Sequence, residues 1–249
     1  MEDQARRRAV RDRHLDWDGC HNVRDLGGMR AADGRETRWG AVVRSDTPHR
    51  LTPAGWAALA DYGIRTVVDL RNDGEHLSAV DRRPAGFTTV RVPLDDRADT
   101  GFWNGLGEGV YGTPLYYRPF LERKAERCAA AVSAIARAEP GGVLLHCVAG
   151  RDRTGLVTLL LLALAGVSPG DIAADYELST VRLRPLYAKL GEPDEAPRIQ
   201  ALLDRANTSA REIILSTVES LDAEAYLRAG GVSDAELTSV RARILGPAD

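Results

Sequence analysis

The chain is predicted to be an α/β protein: a central, mostly parallel sheet flanked by helices, with a helical C-terminal addition. Three observations predict this. Strand-like and helix-like segments alternate through the first 180 residues. The strand candidates are short, apolar and β-branched, as strands buried on both faces tend to be. Beyond residue 180 the strand pattern stops and only helical patterns remain.

The elements follow in order. Residues 41–44, AVVR, suit a short strand. LTPAGWAALADYG (51–63) suits a helix, with Thr52 as its N-cap, Pro53 in the first turn and Gly63 as its stop. IRTVVDL (64–70) is a buried strand and TTVRVPL (88–94) a further one. Apolar positions Phe120, Leu121, Cys128, Val132 and Ile135 predict one long amphipathic helix over 115–138. GGVLLHC (141–147) is the next strand, and TGLVTLLLLALAG (154–166) the helix after it. Ser168, Pro169 and Asp171 mark another helix start, and residues 185–245 read as helices alone. Ser233 and Glu236 make a capping box for the last one. The glycine-rich stretch 95–114 is predicted to be a flap. It has GxGxxG spacing at Gly107, Gly109 and Gly112, but no strand ends just before it, so a dinucleotide site is not expected.

Composition limits the function. The 249 residues are 44% hydrophobic and 28% charged, enough for one sizeable core. Residues 15–249 are expected to form one domain, with 181–249 a helical tail that packs on the sheet or partly covers its site. The first fourteen residues, rich in arginine (Arg6, Arg7, Arg8, Arg11, Arg13), are expected to be a flexible arm. A net charge of -3 gives no general affinity for nucleic acid. Cys20, Cys128 and Cys147 are widely spaced and form no CxxC, so neither a disulfide framework nor a zinc knuckle is indicated. The longest apolar run, 156–167, is too short to span a bilayer, and the N-terminal stretch lacks a signal-peptide core. A cytoplasmic setting is expected.

The chemistry lies in HCVAGRDRTG, residues 146–155. A cysteine at the carboxyl end of a central strand, followed by a loop and a helix, faces backbone N–H groups and the positive end of a helix dipole. That setting favours a thiolate, which is a nucleophile without a separate base. Gly150 lets the loop approach closely, and Gly155 lets the helix pack near the strand. Arg153 supplies a planar fork for a tetrahedral anion. His146, Val148, Ala149, Gly150 and Arg151 complete the candidate anion-binding segment. A phosphate monoester satisfies cradle, fork and thiolate together. Cys20 and His21 adjoin but lack an arginine and a following helix, so they read as structural.

This signature resembles that of the cysteine-dependent phosphatase superfamily, HCxxGxxRTG. NVRDLGG (22–28), VVRSD (42–46), VVDLR (67–71) and ADYELS (174–179) extend the likeness to the atypical bacterial tyrosine phosphatases of the PtpB/LipA type, over residues 15 to 180. The resemblance implies Cys147 as nucleophile, Arg153 as phosphate ligand and Thr154 as the hydroxyl that steadies the thiolate. It sets Asp69 and Arg71 near the pocket and carries Arg24 and Asp25 over with the N-terminal motif, so that Asp69 is expected to serve catalysis and Arg71, Arg24 and Asp25 to bind substrate. The family often has lysine where this chain has Arg151. It implies hydrolysis without metal, on phosphorylated proteins and in some members phosphoinositides, with inorganic phosphate as product.

A protein-tyrosine phosphatase of relaxed specificity is thus the leading expectation. A phosphoinositide phosphatase, suggested by Arg151 and the N-terminal arginines, is the alternative. A catalytically silent phospho-binding module is opposed by the intact nucleophile and arginine. No Trp-Pro-Asp tripeptide supplies a general acid. Asp152 within the loop is the expected proton donor, with Asp69, Asp95, Asp96 and Asp99 as alternatives.

Overall fold

The computed structural model describes residues 12–75 and 84–246. Among these, five strands form one sheet: β1 (Arg24–Asp25), β2 (Val42–Ser45), β3 (Ile64–Asp69), β4 (Thr88–Arg91) and β5 (Gly142–His146). Their order is β1-β2-β5-β3-β4. β1 runs antiparallel to β2, and the other pairings are parallel, so β5 lies at the centre of a mostly parallel sheet.

Side chains alternate across a strand, and the two faces of β5 show it. Val143 and Leu145 join the larger apolar cluster, while Leu144 joins a second one with Val43, Val67, Trp56 and Leu59. The second face is covered by α1 (Pro53–Asp61), capped as expected by Thr52, whose side chain accepts from Gly55 N at 3.2 Å. The larger cluster holds α5 (Asp152–Leu164), which is apolar all round and buried along nearly its whole length. Each of its fully buried leucines contributes about 2 kcal/mol of apolar burial.

Around α5 pack α4 (Ala125–Ala136), α6 (Pro169–Arg182), α9 (Ala210–Glu219) and α10 (Ala223–Ala229), and α11 (Asp234–Leu245) packs on α4. Ser168 caps α6, and Ser233 with Glu236 forms the capping box of α11. Two short helices, α7 (Arg184–Leu190) and α8 (Ala196–Arg205), lie between α6 and α9.

Three expectations are corrected. The helix expected over 115–138 is two, α3 (Tyr117–Arg123) and α4, with Lys124 between them in a non-helical conformation. The Lys124 ammonium instead holds Asp99 at 2.6 Å and Asp96 at 3.3 Å, and so anchors the glycine-rich segment. That segment contains a helix, α2 (Thr100–Gly105), capped by Asp99. The expected arm is tied down at its end: Arg13 reaches Asp175 at 3.0 Å and His14 forms a bridge to Arg24, while residues 1–11 lie outside those described. No helix among the described residues is long and apolar enough to cross a membrane.

Candidate active site

β5 ends at His146 and α5 begins at Asp152, so Cys147 to Arg151 form the turn between them. The helix starts two residues before the expected Thr154. The loop's carbonyls are held from one side. Val148 O accepts from Thr47 N at 3.0 Å. Ala149 O and Gly150 O accept from the Asn22 amide at 3.0 and 3.1 Å. Arg44 donates to Gly150 O at 2.8 Å and to Arg151 O at 3.2 Å. Every described peptide is trans, so each N–H points opposite its carbonyl. The N–H groups of residues 149–152 are therefore turned away from the scaffold, as an anion cradle requires. Gly150 is obligatory here: its φ is +66°, and a Cβ would sit 2.2 Å from Ser45 O.

Behind the loop lies a buried charge network. Arg24 donates through Nε to Asp175 Oδ1 at 3.0 Å and through Nη1 to Asn22 Oδ1 at 2.7 Å. Arg44 donates to Asp175 Oδ2 at 2.6 Å. Burial and the neighbouring Arg44 push Arg24 down to about 9, still charged at neutral pH. Burial works against the Asp175 carboxylate, but Arg24, Arg44 and Arg13 hold it well below the usual range. Asp25 accepts from Gly27 N, Gly40 N and the Tyr62 hydroxyl. Arg24 and Asp25 were expected to touch substrate. Both are fully buried with these partners, so they support the scaffold instead. His146 is corrected likewise: it is 0% exposed, its Nδ1 lies 2.9 Å from Cys147 O, and its Nε2 lies 3.6 Å from Asp69.

Cys147 sits at the floor, 3% exposed. Arg153 follows in the first turn of α5. Glu75 takes its fork with both oxygens, at 2.5 and 3.0 Å, and Asp95 lies 3.4 Å from its Nε. Burial opposes the Arg153 charge, but Cys147, Glu75 and Asp95 more than offset it and raise its pKa. The Thr154 hydroxyl is buried with no hydrogen-bond partner, so the expected bond to the sulfur is not made in this state. Asp69 receives Arg71 through N, Nε and Nη2 at 3.0, 2.9 and 2.8 Å. Burial opposes its ionisation, yet the Arg71 hydrogen bonds and the His146 ring bring it down to about 2. A carboxyl so acidic is a poor proton donor at neutral pH.

Asp152 is equally committed. Its Oδ2 accepts from Arg151 Nε at 2.9 Å, its Oδ1 from the Tyr176 hydroxyl at 2.8 Å, and its carbonyl from Tyr117 at 2.6 Å. Both carboxylate oxygens of the expected proton donor are thus engaged by neighbouring side chains. Arg151 also donates to Gly112 O at 3.2 Å and to Glu195 at 2.7 Å. Glu195 precedes α8 and accepts from Tyr187 of α7 at 3.0 Å. Leu183, Leu186 and Tyr187 pack against Ala149 of the loop. Cys20, read as structural, is buried, and burial pushes its thiol well up.

Several residues at the site were not anticipated. Asn22, Arg44 and Asp175 lie inside motifs the sequence displays, but nothing in it says that they meet. Glu75 lies 78 positions from Arg153, and no spacing signal links them.

The tyrosine phosphatase family model matches residues 15–246. A candidate tyrosine-protein phosphatase of Cupriavidus necator is 35% identical over 70% of this chain and 66% of its own length. A tyrosine-protein phosphatase of Nostoc commune is 30% identical over 82% of this chain and 74% of its own. The triple specificity protein phosphatase PtpB of Mycobacterium tuberculosis is 30% identical over 92% of this chain and 98% of its own. With the signature loop lying between β5 and α5 and these relatives spanning most of its length, the chain belongs to the tyrosine phosphatase family.

Proposed function

We propose that the protein hydrolyses phosphate monoesters, phosphotyrosine in proteins foremost, with relaxed specificity and through a cysteinyl-phosphate intermediate. The observation that carries the reading is the grip on the carbonyls of 148–151, which leaves N–H groups, Cys147 and Arg153 together at one loop. The substrate phosphate binds against the N–H groups of 149–152 and the Arg153 guanidinium. The Cys147 thiolate attacks phosphorus and the ester P–O bond breaks. Water then attacks the phosphocysteine, the S–P bond breaks, and inorganic phosphate leaves. No metal or cofactor takes part. The chain's own work is positioning and charge stabilisation.

The name of the Mycobacterium tuberculosis relative, triple specificity, supports breadth. The phosphoinositide reading ranks second, because Arg151, which suggested it, is already engaged by Asp152 and Glu195. The test is a panel: kcat/KM on phosphotyrosine, phosphoserine and phosphothreonine peptides and on phosphatidylinositol phosphates. Phosphotyrosine is expected to lead. A lipid preference above about tenfold, roughly 1.4 kcal/mol in transition-state binding, would reverse the order. No turnover on any would favour a binding module.

A further inference from the structure

Resting on the reading of the protein as a phosphotyrosine phosphatase, we propose that Arg97 forms a specificity subsite that selects an acidic side chain close to phosphotyrosine in peptide substrates. Arg97 is exposed and lies in the stretch between β4 and α2. It lines an open cavity of about 520 Å³ together with Glu75 and Asp95, the two carboxylates that flank Arg153.

An aromatic ring sets its position. Arg97 Cζ sits 5.0 Å from the centroid of the Tyr111 ring, a cation–π contact. The same tyrosine donates its hydroxyl to Asp95 Oδ2 at 2.8 Å, and that oxygen lies 3.4 Å from Arg153 Nε. One ring therefore separates Arg97 from a carboxylate beside the phosphate arginine. Trp103 meets the Tyr111 ring edge to face, with centroids 5.3 Å apart, and is itself held by its Nε1 donating to Asp96 O at 2.7 Å. Arg97, Trp103, Leu106 and Tyr111 line a second, adjoining cavity of about 270 Å³, which gives a neighbouring stretch of peptide a partly apolar surface to lie on.

The carboxylates around Arg97 are engaged by other cations. Asp73 pairs with Arg91 at 2.5 Å, Glu75 with Arg153 at 2.5 Å, and Asp96 with Lys124 at 3.3 Å and Arg127 at 3.5 Å. Among the described residues Arg97 has no ion pair, only the face of Tyr111. Its charge still reaches the site: burial opposes the Glu75 carboxylate, while Arg153, the Asn72 N–H and Arg97 hold its pKa down. A guanidinium held on an aromatic face with its donors unused is arranged to receive an anion. Arg97 lies outside the loop that grips the phosphate, so the anion it receives comes from a neighbouring residue. An extended peptide advances about 3.3–3.6 Å per residue, so three residues on either side of phosphotyrosine cover about 10 Å. A glutamate there gains an ion pair, and a lysine there is repelled.

The test is a set of phosphotyrosine peptides in which glutamate, alanine or lysine stands in turn at each of the three positions on either side. At one or more positions the wild-type enzyme is expected to favour glutamate over lysine by about 3- to 5-fold in kcat/KM, the size of one exposed ion pair, through KM rather than kcat. The preference should shrink at high ionic strength. In Arg97→Ala the ratio should fall to near one, and in Arg97→Glu it should invert. A ratio between two peptides on one enzyme does not depend on how much of that enzyme is folded, so a poorly folding variant still reports. Equal turnover of glutamate and lysine peptides by the wild type, or a preference that survives in Arg97→Ala, would overturn the proposal. A wild-type enzyme that hydrolyses none of the peptides would instead overturn the reading it rests on.

Discussion

Arg153 meets two carboxylates before it meets a substrate. Glu75 takes its outer fork and Asp95 stands at its Nε edge, so the guanidinium is fixed in orientation before phosphate arrives. Preorganisation of this kind lowers the entropy cost of binding the transition state. Arginine is required because the fork must serve Glu75 and phosphate together, in one plane. Lysine offers a point charge and cannot do both. Arg153→Lys is therefore expected to lower kcat/KM by at least about 10²-fold, roughly 2.7 kcal/mol of transition-state binding. Steady-state kinetics on a phosphotyrosine peptide measures it. A loss under threefold would place Arg153 outside the phosphate site. The nucleophile and this arginine were legible because both lie in one ten-residue signature. Glu75 was not, since an ion pair across 78 positions leaves no local pattern.

At the scale of elements, the loop's shape is set from behind. β1 and β2 bring Arg24 and Arg44 under it, Asn22 just before β1 holds its carbonyls, and α6 brings Asp175 to balance the two arginines. Arg44 ties this network to the loop directly, through the carbonyls of Gly150 and Arg151. Removing the one carboxylate leaves two fully buried guanidiniums, Arg24 and Arg44, without their shared counter-charge. Asp175→Asn should therefore destabilise the fold by about 3–5 kcal/mol, read from urea unfolding. Activity should fall in parallel, because the loop carbonyls lose their anchor. A change below about 1 kcal/mol would mean that the network does not hold the fold.

The sequence showed β2 to β5, the caps at Thr52, Ser168 and Ser233, and the buried helix after the loop, because those signals are local; the two-residue β1 was too short to leave one. It misled at 115–138, where apolar spacing continues through Lys124. The break there comes from a tertiary ion pair with Asp96 and Asp99, which no periodicity encodes. It misled for Arg24 and Asp25 in another way: a motif marks residues that act together, not which of them face the ligand.

For the whole molecule, the buried acids set the response to pH. Asp69 falls from an ordinary carboxylate value to about 2, chiefly through Arg71 against the opposing cost of burial, and Asp175 is depressed as well. A depressed folded-state value stabilises the fold above the unfolded value, near 3.9, and that stability is lost as pH falls through the folded value. For Asp69 the contribution is on the order of 2 kcal/mol. Chemical unfolding followed from pH 6 down should therefore show stability falling between about pH 4 and 2. Asp69→Asn should be less stable at pH 6 and show a shallower fall across that window. An identical slope in the two proteins would remove Asp69 from the balance.

The central claim is that Cys147 carries the phosphoryl group during turnover. Rapid acid quenching of the wild-type enzyme during hydrolysis of a phosphotyrosine peptide, followed by digestion and mass spectrometry, tests it. The peptide containing Cys147 is expected to gain one phosphoryl group, Cys20 and Cys128 none, and Cys147→Ser is expected to show neither the adduct nor turnover. Steady turnover by Cys147→Ser, or wild-type turnover with no phosphoryl group ever found on Cys147, would contradict the account.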